Sequence, residues 1–88
     1  MTINDAMFWA ALFPGYIISD QAVKSSDSTI RYIGFLNKKG EWYILEQNTA
    51  AGANSLQTFR YAKGTSAYTT NWTAKEGLTY GYVDVTFA

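Results

Sequence analysis

From Thr29 onward the chain consists of β-forming runs that carry apolar residues on both of their faces. The runs are TIRYIGFLN (29–37), EWYILEQN (41–48), LQTFRYA (56–62) and LTYGYVDVTF (78–87). An antiparallel sheet with one wet side alternates apolar and polar residues. These runs alternate poorly: Ile30, Tyr32 and Leu36 oppose Arg31, Ile33 and Phe35, and Trp42 and Ile44 oppose Tyr43 and Leu45. In the last run Leu78, Tyr80 and Tyr82 oppose Val83, Val85 and Phe87. Four strands cannot cover two apolar faces by themselves. One face takes the domain core, and the other needs the N-terminal arm or another protein chain.

The breaks between the runs are turn-like. Lys38-Lys39-Gly40 suits a short hairpin loop, with Gly in the left-handed position. TAAGANS (49–55) reads as a loop, and Lys63-Gly64 closes the third run. Thr73 with Glu76 has capping-box spacing and Gly77 suits a C-terminal cap, so one helical turn is expected before the fourth strand. The expected fold is mainly β, a four-stranded antiparallel meander that forms a small open sheet or a compact barrel.

Residues 1–28 read differently. AMFWAALFPGYII (6–18) is apolar throughout, yet shorter than the roughly 20 residues of a membrane-spanning helix and interrupted by Pro14-Gly15. No Lys or Arg precedes it, and Asn4-Asp5 puts the wrong charge there for a secretory signal. Thr2 or Asn4 can cap a short helix over 4–13, apolar nearly all round and therefore in need of burial. Tyr16-Ile17-Ile18 can add a short strand, and SDQAVKSSDS (19–28) reads as a polar linker. The expected organisation is an aromatic arm and linker over 1–28 and a β-domain over 29–88. Ten extended linker residues reach on the order of 30 Å.

Composition narrows the function. The 88 residues include no Cys and no His, so no disulfide, thiolate or imidazole chemistry is available, and no cofactor or metal is expected. Seven Lys+Arg balance seven Asp+Glu, which supplies no electrostatic attraction for nucleic acid or anionic lipid. Glu46 and Asp84 lie in expected strands and could in principle face one another as a carboxylate pair, but read as surface charges. Lys24 beside Ser25 reads as part of the linker, and Asn71-Trp72-Thr73 is a glycosylation triplet whose Thr already serves the turn. A non-enzyme is expected. The 17% aromatic content is then the main functional lead, because Tyr and Trp favour interfaces. Phe8, Trp9, Phe13 and Tyr16 of the arm are the expected protein-contact residues. The alternative is a small β-barrel module that binds a glycan or peptide on exposed Tyr and Trp.

Residues 30–87 also resemble small structural proteins of tailed bacteriophages. The resemblance rests on Trp42-Tyr43 ending a strand-turn-strand, Tyr61-Ala62-Lys63-Gly64, Trp72-Thr73, Leu78-Thr79-Tyr80 and the closing VDVTF. It implies a virion component assembled in the host cytoplasm, such as a head-decoration protein or a tail or fibre adaptor. Its implied partners are capsid, tail or fibre proteins and copies of itself. No catalytic residue comes with it, and residues 1–28 lie outside it.

Overall fold

Four antiparallel strands form one open sheet in the order β1-β2-β3-β4, with no closure between the outer two. The computed structural model describes residues 13–49 and 57–87. The strands are β1 (Ile17–Lys24), β2 (Asp27–Leu36), β3 (Trp42–Asn48) and β4 (Thr58–Gly64). Helix α1 (Tyr68–Thr73), a 3-10 turn (Lys75–Gly77) and helix α2 (Val83–Thr86) follow. The expected helix over 4–13, and with it Phe8 and Trp9, lies outside the described residues apart from Phe13.

The β2–β3 hairpin forms where the sequence places it. Gly40 adopts φ 87°, and the Asn37 carboxamide oxygen accepts from the Lys39 and Glu41 N–H groups, each at 3.0 Å. Asn37 thus ties the loop from inside, while Gly40 takes a conformation that costs other residues energy.

Two expectations give way. SDQAVKSSDS is not a linker: its first six residues belong to β1, Ser25-Ser26 turns the chain, and Asp27-Ser28 opens β2. The turn is held by hydrogen bonds, with Ser25 N–H donating to Glu76 at 3.1 Å and Thr29 N–H and hydroxyl donating to Asp27 at 3.0 and 2.6 Å. LTYGYVDVTF, in turn, is not a fourth strand. It meets β4 in one bridge, Tyr61 with Gly81, and then becomes α2. The physical reason is a crossing of the sheet edge: Leu78 and Tyr80 pack on one face, whereas Phe87 packs on the other. A segment that wraps from face to face cannot stay in a ladder, and Gly81 sits at the point of crossing.

The turn before it also starts earlier than expected. Helix α1 begins at Tyr68 after Ala67 in the left-handed region, and Thr73 is its last residue, with its hydroxyl donating back to Thr69 O at 3.1 Å. Thr73 therefore caps nothing, and the Glu76 carboxylate serves Ser25 instead.

Alternation in β2 and β3 sends the core to both sides of the sheet. On the first face Tyr32, Trp42, Ile44 and Ala62 lie under Tyr68, with Trp72, Leu78 and Tyr80 packed around them. On the second, Ile33, Phe35, Tyr43 and Leu45 lie beside Ile18 and Tyr61 of the outer strands and under Phe13, Tyr16 and Phe87. Each such side chain, fully buried, stabilises the fold by roughly 1.5–3 kcal/mol. The two-faced apolar pattern therefore reflects a single sheet sandwiched between two thin layers of its own chain.

Candidate binding surfaces

Tyr43 is the hub of the second face. Its ring stacks on Phe35 at 4.5 Å, lies 5.1 Å from Tyr16, and meets Phe13 and Phe87 edge-on at 5.5 and 5.4 Å. Such edge-to-face and offset pairs add about 0.5–1.5 kcal/mol beyond area burial. The Tyr43 hydroxyl is buried and has no hydrogen-bond partner. Burial, followed by the neighbouring Tyr61 and Tyr16, pushes its pKa up, so it stays a protonated phenol and cannot act as a base at neutral pH.

Beside this hub an open cleft of about 370 Å³ runs between Phe13, Tyr16, Trp42 and Phe87, with Glu41, Lys63 and Thr65 at its polar side. The register explains its composition. Tyr43 pairs with Lys63 across β3 and β4, which puts the Lys63 stem on the second face, with its ammonium 5.7 Å from the Phe87 ring centre. Burial, and then Glu41, raise the Tyr16 pKa. The cleft offers aromatic walls with one anion and one cation.

The first face is closed by hydrogen bonds from its aromatic tips. Tyr68 Oη donates to Asp20 at 2.8 Å, Tyr80 Oη to Lys75 O at 2.8 Å, Tyr32 Oη to Glu46 at 3.2 Å and Trp42 Nε1 to Ser66 O at 2.7 Å. Burial first, then Glu46, push Tyr32 up to about 12. The Tyr68 and Trp42 bonds hold α1 and the loop before it on the sheet.

The sheet edges differ. At β4, Gly81 exchanges two backbone bonds with Tyr61, and the Thr86 hydroxyl adds a third to Tyr61 O. Past this cap, Tyr82, Val83 and Val85 are exposed, with the Arg60 guanidinium 4.0 Å from the centre of the Tyr82 ring. β1, by contrast, pairs with β2 alone among the described residues. Its Ile17 and Val23 are 68% and 47% exposed.

Of the contact residues expected from sequence, Phe13 and Tyr16 come together at 6.0 Å and pack on the second face of their own sheet. Glu46 engages Tyr32, whereas Asp84 lies exposed in the first turn of α2. Ser25 is engaged with Glu76. Among the described residues no cluster of His, Cys, Asp or Glu could hold a metal ion, and no helix is long and apolar enough to cross a membrane. Sequence reasoning missed Tyr43, Lys63 and Phe87 as one group. The alternation of β3 and β4 carried the signal for the first two; nothing local marked Phe87.

No family model, curated protein or solved structure matches this chain.

Proposed function

We propose that the chain is a non-enzymatic assembly module, a small structural component of a phage particle that joins capsid, tail or fibre proteins and copies of itself. The observation that carries this reading is the open β1 edge, flanked by exposed Ile17 and Val23. An uncovered strand edge with apolar side chains is a template for another chain. The phage resemblance of residues 30–87 supplies the kind of assembly, and the reading keeps Phe8 and Trp9 of the N-terminal run as expected contact residues. The test is to probe purified particles and particle-free lysate with an antibody raised against this chain. The reading requires the chain in particles at a fixed ratio to the major shell or tail protein; recovery only in the particle-free fraction overturns it.

One observation favours a second reading, a glycan-binding module. The cleft pairs the rings of Phe13, Tyr16 and Phe87 with the carboxylate, ammonium and hydroxyl of Glu41, Lys63 and Thr65, groups that can stack on and hydrogen-bond a sugar. On a glycan array this reading expects saturable binding that Lys63→Ala abolishes. Uniformly flat signals dismiss it.

A further inference from the structure

We propose that β1 pairs antiparallel with β1 of a second copy, with Ala22 on the two-fold axis, to join two sheets into one of eight strands. This rests on the assembly reading above and names one partner within it. Three features of the edge lead there.

The first is its length and limits. β1 carries an irregularity between Ile18 and Asp20, where Ser19 is the extra residue. Its register with β2 jumps again between Val23 and Lys24, where the residues left unpaired with β1, 28–30, lie on β2. Asp20–Lys24 of β1 itself therefore runs without an insertion up to the Ser25-Ser26 turn and is the stretch that can accept a strand. Among the described residues, the only strand bonded to it is β2.

The second is the order of side chains on that stretch. Asp20 and Ala22 lie opposite Gly34 and Tyr32, on the sheet's first face. The pairing with β2 shifts before Lys24, and it is the alternation along β1's own unbroken residues that places Lys24 with them. The first face thus reads Asp, Ala, Lys along the edge, and the second face reads Gln21, Val23. An antiparallel copy reads the first triplet backwards, as Lys, Ala, Asp. With Ala22 opposite its own copy, Asp20 meets Lys24 of the second copy and Lys24 meets Asp20 of the second copy. Exposed Val23 is then covered by the Gln21 stem of the other chain.

The third is that this register excludes its neighbours. A dyad at Asp20 sets two carboxylates opposite each other, and a dyad at Lys24 sets two ammoniums opposite each other. Like charges directly across a strand pair are destabilising. Dyads at Gln21 or Val23 set Asp20 or Lys24 against Ala22 and leave the opposite charges unmatched. Only the dyad at Ala22 satisfies both. A small residue at the centre also lets the two layers above the first face approach without a side chain between them.

The chain has no cysteine, which makes the dyad testable by a cross-link. Residues directly opposite in an antiparallel pair have Cα atoms about 4.5–5.5 Å apart, within the roughly 4.4–6.8 Å of a disulfide. Ala22→Cys is therefore expected to give a covalent dimer on mild oxidation, whereas Val23→Cys, two positions off its own copy, is not. By sedimentation equilibrium the unaltered full chain is expected to dimerise reversibly, and Lys24→Asp to weaken the dimer about tenfold by turning two attractions into repulsions. Asp20→Lys alone is expected to be equally weak, and an equal mixture of the two variants to recover a one-to-one dimer. Circular dichroism checks that Asp20→Lys, which removes the acceptor of Tyr68, remains folded; the disulfide test stands without it. The inference is overturned if Val23→Cys cross-links as fast as Ala22→Cys, or if Lys24→Asp dimerises as tightly as the unaltered chain. A strictly monomeric chain that is nevertheless found in particles overturns edge pairing and leaves the assembly reading in place. A cross-linked Ala22→Cys dimer with the chain absent from particles supports the pairing and overturns that reading.

Discussion

Replacing Gly64 by alanine tests how the first face is packed. Gly64 lies directly across from Trp42 in the β3–β4 pair, and the indole covers it. A Cβ added at Gly64 would sit 2.6 Å from Trp42 Cε2 and 2.8 Å from Nε1, where non-bonded carbons prefer about 3.5–4.0 Å. The indole would have to retreat by about 1 Å. It has little room to do so: Trp42 is 4% exposed, its N–H is committed to Ser66 O, and Tyr68 lies 6.4 Å from its ring centre. Overpacking of this kind costs about 1–3 kcal/mol. If the indole moves far enough to lose Ser66, an unpaired buried N–H adds about 1–3 kcal/mol. Against this, alanine restricts the unfolded chain and returns about 0.4–1 kcal/mol. Taken at the middle of each range, the balance is a destabilisation of about 1 kcal/mol with the Ser66 bond kept and about 3 kcal/mol with it lost. Gly77→Ala is the control, because a Cβ there meets nothing within 4 Å, and it is expected to be neutral or to stabilise by up to about 1 kcal/mol. Urea titration followed by tryptophan fluorescence and by circular dichroism reads both. A Gly64→Ala midpoint equal to that of the unaltered chain would refute the packing described for Trp42.

Two further outcomes follow from the tyrosines. Tyr43→Phe removes a buried hydroxyl that has no partner, so urea titration is expected to find stability unchanged or raised by up to about 1 kcal/mol, and a clear loss contradicts the site as described. Burial is the largest cause holding Tyr32, Tyr43, Tyr68 and Tyr80 above the usual phenol range. A folded-state pKa above the unfolded value contributes stability that is intact below about pH 10 and declines above it, by about 1.4 kcal/mol per pH unit for each phenol still protonated only in the fold. In a base titration, phenolate absorbance and loss of β-sheet circular dichroism are therefore expected to rise together above pH 10. Phenolate forming in full near pH 10 with the sheet intact would show these rings to be wet.

The parts of the fold that were legible in the sequence are those whose signal is local. Gly40 and Asn37 specify the β2–β3 loop through their own backbone and side-chain bonds, so the hairpin could be placed to within a residue or two. The apolar doubling of β2 and β3 likewise showed that two layers must cover one sheet. The run from Leu78 to Phe87 has the composition of a strand for another reason: its large residues serve two faces in turn as the chain rounds the β4 edge. Composition alone cannot separate that from a ladder, since both demand bulky apolar residues. Thr73 and Glu76 fit a capping box by spacing, but Glu76 finds Ser25, some fifty positions away, a contact that no local pattern encodes.

β1 reads as a linker for the opposite reason, and its polarity is what an outermost strand carries. A strand in mid-sheet is covered by neighbours on both sides and shows apolar runs, as β3 does with Trp42–Leu45. An outer strand has one neighbour and one edge in water. Ser19, Asp20 and Gln21 are exposed to that water, Ala22 and Lys24 are half-buried, and Ile18 packs inward. Read as a string, that is a linker; read against β2, it is a strand whose two charges stand four residues apart, on either side of Ala22. Charge placed this way on an edge ordinarily discourages pairing. With Asp20 and Lys24 of opposite sign and symmetric about Ala22, the same device rejects most strands and accepts one that runs the other way with the same residues. In the proposed pairing, the least strand-like segment of the chain is the one that selects its partner.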